Sequence, residues 1–462
     1  MMASKRHPSS FRDPAGFIFE YGGKFYRQVN QSYAAQYSLL LSSGLYDQLI
    51  KENKLLPHTE MDICLTGESN WYKTLLPEQL AFISYPYEWC FNQWKDAALL
   101  TLDLLKKAIE YGMILKDATP FNIQFKGGSP VWIDSLSFEK YDASQPWIAY
   151  RQFIESFIAP LLLAHHRSPE LLRLFQLYPD GIPLKILVKL LPLRSRANIH
   201  VLLHIILPAS LSGKQKPSSK PVRLFTKEKL LHISNDLEVF VRSLKSAASQ
   251  STWKTYYGET VMNLEYVNEK KECLKEWMGE LPVKTVLDLG TNTGLFAQMA
   301  AENGKYVIAV DADLNCIDSL YLDCKHKNIS TLLPLILDIC NPSPSIGWDN
   351  LEREAFLVRI RTELCMALAI IHHLVIGKNI GFNQLAKTLS RISPWLIIEF
   401  IPKSDPKIAL LLQNREDIFE DYNELRFTEA FGLHFLIEKK EILQHSGRIL
   451  FLMRKKDHCS EN

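Results

Sequence analysis

The chain has 462 residues, 47% of them hydrophobic and 23% charged, which is too long for one ordinary domain and too apolar for a disordered chain. Lysine and arginine number 53 against 51 aspartate and glutamate, a net charge of +2, so no overall electrostatic case exists for nucleic acid or an anionic membrane as partner. Eight cysteines with no C-x-x-C pair, and no histidine cluster recognised at zinc-ligand spacing, exclude a disulfide framework and predict no metal in a reducing, cytoplasmic compartment.

In chain order, the polar and basic first sixteen residues are not followed by the apolar core that a signal peptide needs. A hairpin comes next, 17–21 and 24–29 about Gly22-Gly23. The pattern then predicts a helix over 32–55, strands over 71–76 and 81–85, a long helix over 91–111 and a largely helical remainder to Leu207. Its apolar runs 158–164 and 199–207 are too short to span a bilayer and read as buried helix. The stretch 208–223 has no core-forming periodicity and reads as a linker. A helix over 226–248, with Leu230, Leu231, Ile233, Leu237, Phe240 and Leu244 in an apolar stripe, is expected to lead into the second domain. From Val283 onward, strand-length apolar runs alternate with amphipathic stretches: 285–289, 306–310, 332–337, 364–370 and 396–400, then a closing hairpin of 434–438 and 448–453. That is the signature of a parallel sheet wrapped by helices. The expected division is 1–208, a connecting 209–254, and 255–457.

The first of these runs ends in Asp288-Leu289-Gly290-Thr291-Asn292-Thr293-Gly294, a tight turn at the carboxyl end of a strand, where open α/β sheets bind ligands. Dinucleotide enzymes need a second glycine at the position of Asn292. The carboxylate of Asp288 disfavours a diphosphate and suits the ammonium and sulfonium of S-adenosylmethionine. Asp311 closes the second strand, placed to accept from two ribose hydroxyls. Asp338 closes the third, placed to accept from an adenine amino group. Asp288, Gly290, Asn292, Gly294, Asp311 and Asp338 are the expected cofactor residues.

Together with His372-His373-Leu374, the run Ile398-Glu399-Phe400-Ile401-Pro402-Lys403-Ser404-Asp405-Pro406, and Arg415-Glu416-Asp417-Ile418-Phe419, this set resembles class I methyltransferases of the bacterial type related to nodulation proteins. The resemblance implies a Rossmann-like seven-stranded sheet with an antiparallel last strand. Methyl transfer is an in-line displacement, so alignment in a dry pocket supplies much of the acceleration, and a base is needed for a hydroxyl acceptor. His372, placed slightly ahead of His373, is the expected base, with Glu399 lining the same mouth. Arg415, Glu416 and Asp417 are weaker candidates for orienting the acceptor. Trp253, Tyr256, Tyr257 and Tyr266 are expected to pack over the cofactor or within the core.

In the N-terminal half, Asp117, Asn122 five residues on and the strand-end Asp134 resemble the catalytic loop and metal-binding aspartate of protein-kinase-like phosphotransferases. By that resemblance Asp117 would be a base, and Asn122 and Asp134 would hold the magnesium of Mg-ATP. The Gly-rich phosphate loop is absent, however, and Arg27 or Lys24 stands where the strand lysine is expected. The expectation is thus an α/β methyltransferase domain preceded by an α+β kinase-like, substrate-binding domain, acting on a small-molecule or sugar hydroxyl. The alternatives are a bifunctional or purely ATP-dependent phosphotransferase, and a non-catalytic S-adenosylmethionine-binding scaffold.

Overall fold

The structure, a computed structural model, describes residues 4–211, 224–247, 264–413 and 416–457. It divides into two units, Met1–Ser249 with Ser345–Glu354, and Gln250–Pro344 with Ala355–Asn462.

The first unit opens on an antiparallel five-stranded sheet in the order Lys5–Arg6, Gly16–Tyr21, Lys24–Asn30, Trp71–Pro77, His58–Met61. Gly22 and Gly23, at φ 58° and 73°, form the two-residue left-handed turn that matches strand twist. The helix predicted over 32–55 is broken into Ala34–Ser42 and Leu45–Lys51, because Gly44 takes φ 82°, which an α-helix cannot continue through. The strand predicted over 81–85 does not form. The Gln124 side chain occupies that backbone instead, accepting from Ser84 N at 2.8 Å and donating to Ser84 O at 2.9 Å. The strand His58–Met61 was missed because its residues are largely exposed and carry no apolar alternation.

Helix Phe91–Glu110 forms the spine of this unit. Against it lies helix Lys227–Ser243, whose Leu230, Leu237 and Phe240 are buried. Ser234 Oγ donates to Leu102 O at 3.4 Å, and Lys95 Nζ donates to the carbonyls of Arg242 and Leu244 at 2.8 Å each. The apolar stripe therefore serves the first unit, and the expectation that this helix leads into the second is corrected. Run 158–164 is buried as expected, whereas 199–207 is only half so, with Ile199 57%, Leu203 49% and Leu207 44% exposed.

The second unit is an α/β fold on a mixed seven-stranded sheet. Its strands in chain order are Thr285–Leu289, Tyr306–Asp311, Leu332–Ile336, Leu364–Ala367, Trp395–Phe400, Phe435–Ile442 and Ile449–Lys455. Their spatial order is third, second, first, fourth, fifth, seventh, sixth. The first five are parallel, and the seventh runs antiparallel between the fifth and sixth. The five parallel strands are nearly continuous apolar runs because helices cover both faces of a parallel sheet, whereas Phe435–Ile442 is largely exposed. Helix Leu264–Glu280 contributes Leu274, Trp277 and Met278 to a core shared with Val286, Ala309, Met366 and Ile397. The order reverses between the first and fourth strands, which opens a crevice at their carboxyl ends. Among the described residues, no helix is long and apolar enough to cross a membrane.

Candidate functional site

The crevice is a cavity of about 340 Å³ lined by Gly290, Asn292, Asp311, Asp338, Ile370 and His373 among others, within the size range of small-ligand pockets. Its floor is the turn after the first strand. Gly290 N and Thr291 N both donate to Val310 O, at 2.9 and 3.0 Å. Gly290 has φ 78°, and a Cβ there would lie 2.8 Å from Ile370 Cδ1. Gly294 has φ 83°, and a Cβ would lie 2.3 Å from Leu320 Cδ1. Both conformation and space therefore demand glycine. Asn292 supplies a third left-handed residue at φ 53°, a region that asparagine tolerates better than most side chains.

Asp311 locks this turn to the second strand, accepting from Asn292 N at 2.8 Å through Oδ2 and from Asp313 N at 2.9 Å through Oδ1. Burial lifts its carboxyl above the ordinary value against the pull of those amides. Asp338 Oδ1 accepts from Cys340 N at 2.9 Å. Each carboxylate oxygen has further acceptor capacity toward the cavity. On the opposite wall Ala369 takes φ 50°, an uncommon conformation for a residue with a Cβ.

Of the expected cofactor residues, Gly290, Asn292, Asp311 and Asp338 thus come together around the cavity, and Asp288 and Gly294 lie outside its lining. Asp288 is buried beneath the turn, where Oδ2 accepts from Thr291 Oγ1 at 2.6 Å. Burial pushes its carboxyl up to about 6. Its expected part in direct recognition of a cation is corrected to support of the turn. Gly294 starts helix Leu295–Glu302 and acts through backbone shape.

The order of the two histidines is reversed. His372 is 0% exposed, with no hydrogen-bond partner for either ring nitrogen, and burial holds its pKa well below the ordinary value. His373 lines the cavity. Burial, then the nearby Lys407 and Arg448, lower its pKa to about 4.

Glu399 is corrected most. It is 0% exposed, accepts from Tyr266 Oη and Lys270 Nζ, and lies 3.7 Å from Arg448. Arg448 in turn donates to Asp405 Oδ2 at 2.8 Å and to Tyr266 Oη at 3.0 Å. This is a dry ion-pair network, which fixes helix Leu264–Glu280 to the ends of the fifth and seventh strands. A sequence signal existed: Tyr266, Lys270, Leu274 and Trp277 share one face of that helix, so Lys270 is a cation at a core position. Glu416 and Asp417 are described, and Asp417 pairs with Lys403 at 2.7 Å. Trp253, Tyr256, Tyr257 and Arg415 lie outside the described residues.

In the first unit Asp117, Asn122 and Asp134 are brought together. Asn122 Nδ2 donates to Asp117 Oδ2 at 3.0 Å and to Ser137 Oγ at 3.3 Å. Asp134 is taken up by Arg27, by Leu136 N at 2.9 Å and by Ser137 Oγ at 2.8 Å. In this structure its carboxylate is therefore held in an internal ion pair with Arg27. Asp117 Oδ1 is buried without a partner, and burial, with Asp134 second, raises the pKa of Asp117. Unforeseen in the sequence, Arg353 stacks over Phe121 at 4.1 Å, Glu354 N donates to Tyr85 Oη at 3.2 Å and Arg12 pairs with Glu352 at 3.0 Å.

Compared with known proteins, the chain is 32% identical over 468 aligned residues to nodulation protein NoeA of Rhizobium meliloti (strain 1021), covering 98% of this chain and 96% of that one. The chain belongs to the NoeA family. No family model matches it. Solved structures resemble part of this NoeA relative. Magnesium protoporphyrin IX methyltransferase from Synechocystis PCC 6803, with bound SAH, is 13% identical, covers 44% of this chain and 93% of its own, and has a TM-score of 0.31. The bifunctional kinase-methyltransferase WbdD is 17% identical, covers 47% of this chain and 46% of its own, and has a TM-score of 0.28.

Proposed function

We propose that this NoeA relative is a methyltransferase that takes its methyl group from S-adenosylmethionine and delivers it to a hydroxyl of a small molecule or sugar. The observation that carries this reading is the cavity at the switch point of the sheet, floored by a turn that excludes any side chain at Gly290 and rimmed by Asp311 and Asp338. Asp311 would hold the vicinal hydroxyls of a ribose, and Asp338, beside apolar Leu337 and Ile339, would accept from the amino group of an adenine. When bound, S-adenosylmethionine supplies a methyl carbon on a cationic sulfonium. The residues of the chain keep the site dry and aligned. His373 is neutral at physiological pH, so it places no positive charge beside the sulfonium until it takes the hydroxyl proton and becomes imidazolium, as the positive charge of the sulfonium is lost with its methyl group.

The first unit is proposed to be a kinase-like fold kept for recognising the acceptor. Its small antiparallel sheet, long helix and clustered Asp117, Asn122 and Asp134 support that reading, and the Arg27–Asp134 pair speaks against Mg-ATP.

Calorimetry with the demethylated cofactor tests the assignment. Asp311→Ala removes hydrogen bonds to a charged acceptor, and the loss of even one, worth about 1.5–3 kcal/mol, should lower affinity by at least roughly 10-fold. No binding by the wild type, or equal affinity in the variant, would overturn it.

A further inference from the structure

We propose that His200, His204 and Asp236, on the first unit, form a binding site for a divalent transition metal of the zinc class. One donor atom from each of His200, His204 and Asp236 lies within 4.8 Å of the other two. The single oxygen Asp236 Oδ2 stands 3.1 Å from His200 Nδ1 and 2.8 Å from His204 Nε2. Tetrahedral zinc, with ligands at about 2.0–2.1 Å, separates its donors by roughly 3.3 Å. Small movements would therefore bring these three donors around one ion.

Three features of the surroundings favour a built site over a chance cluster. His204 sits in the π-helical turn Leu202–Ile206, and such turns gather at functional positions. The other nitrogen of His204, Nδ1, is 2.5 Å from Tyr150 Oη, the kind of outer contact that sets which ring nitrogen faces a metal. The ring of His200 is stacked on Phe240 at 4.8 Å and 15°, which fixes its plane. Two imidazoles and one carboxylate select zinc-like ions over calcium or magnesium, which prefer all-oxygen sites. Asp236 is the most exposed of the three, its side chain 43% accessible, so a fourth position for water opens on that side.

The expectation of no metal rested on cysteine and histidine spacing alone, and the third donor lies 32 positions beyond His204, on the helix read as part of the connecting segment. The ion would clip the helical stretch that ends at Leu211 to helix Lys227–Ser243, across residues 212–223.

The test uses the full chain without an affinity tag, stripped of metal and titrated with zinc alone and with cobalt alone. One equivalent of zinc should remain after desalting, cobalt should give visible d–d absorption, and zinc should raise the melting temperature. Asp236→Asn and Tyr150→Phe should each weaken zinc binding at least tenfold while far-ultraviolet circular dichroism stays unchanged. Failure of the wild type to retain zinc, or undiminished binding in Asp236→Asn, would overturn the proposal. Should either variant not fold, the cobalt spectrum of the wild type decides, and its absence counts against the site.

Discussion

Replacing Glu399 by glutamine separates a structural from a chemical role for that residue. The carboxylate is buried against Lys270 and Arg448, whose side chains are 1% and 5% exposed. The amide keeps the shape and leaves two cations with only Asp405 and a tyrosine hydroxyl between them. Breaking one side of a buried ion pair costs about 3–5 kcal/mol. For a unit of this size, each kcal/mol moves the melting temperature by about 2–4 °C, so a fall on the order of 6–20 °C is expected by scanning calorimetry. Replacing Lys270 by methionine in the same chain should recover most of the loss, because the unpaired charge is gone. The pH dependence has a definite sign. Burial raises the pKa of Glu399, but Lys270 and Arg448 outweigh it, and the folded-state value lies below the ordinary one. The stabilisation is therefore complete above the unfolded-state pKa and is lost as pH falls through the folded one, so wild type and variant should converge in acid. An unchanged melting temperature with methyl transfer abolished would refute this reasoning and return Glu399 to the chemistry.

Three further outcomes are expected. With the pKa of His373 lowered to about 4, the acid limb of kcat/KM should fall near pH 4, and a limb near 6.5 that vanishes in His373→Gln would contradict the neutral-histidine reading. Gly290→Ala adds a left-handed penalty of about 1–2 kcal/mol to the 2.8 Å contact with Ile370 Cδ1; calorimetry should show cofactor affinity reduced roughly tenfold or more, recovered only in part by Ile370→Val, and full recovery would show that backbone conformation does not matter. Mg-ATP should leave the melting temperature of the first unit unchanged, and Asp134→Ala should lower it by leaving Arg27 unpaired; magnesium-dependent ATP hydrolysis lost in that variant would show a phosphotransfer site instead.

The second unit was legible because each strand of a covered parallel sheet is a short, nearly unbroken apolar run, and the first three carboxyl ends announce themselves by glycine or aspartate. Gly290, Asn292, Asp311 and Asp338 reached the cavity for that reason. What the sequence hid was depth. Asp288 and Asp311 both stand at strand ends, yet only the second lines the cavity, because Thr291 folds its hydroxyl back onto the first. Of the adjacent His372 and His373 only the second lines the cavity, and nothing local in the sequence says which one does. The first unit was harder to read, since its strands are short and half-exposed, and side chains such as Gln124 do work that a neighbouring strand would do elsewhere.

The excursion Ser345–Glu354 bears on how the protein is made. Its Glu352 and Arg353 complete contacts with Arg12 and Phe121, the first spanning 340 positions of sequence. A ribosome that has finished the entire N-terminal half still holds back the last piece of that half until three strands of the next one have emerged. The first unit must therefore wait, incomplete, through that interval, and a gene cut anywhere between the halves would deprive it of this piece permanently.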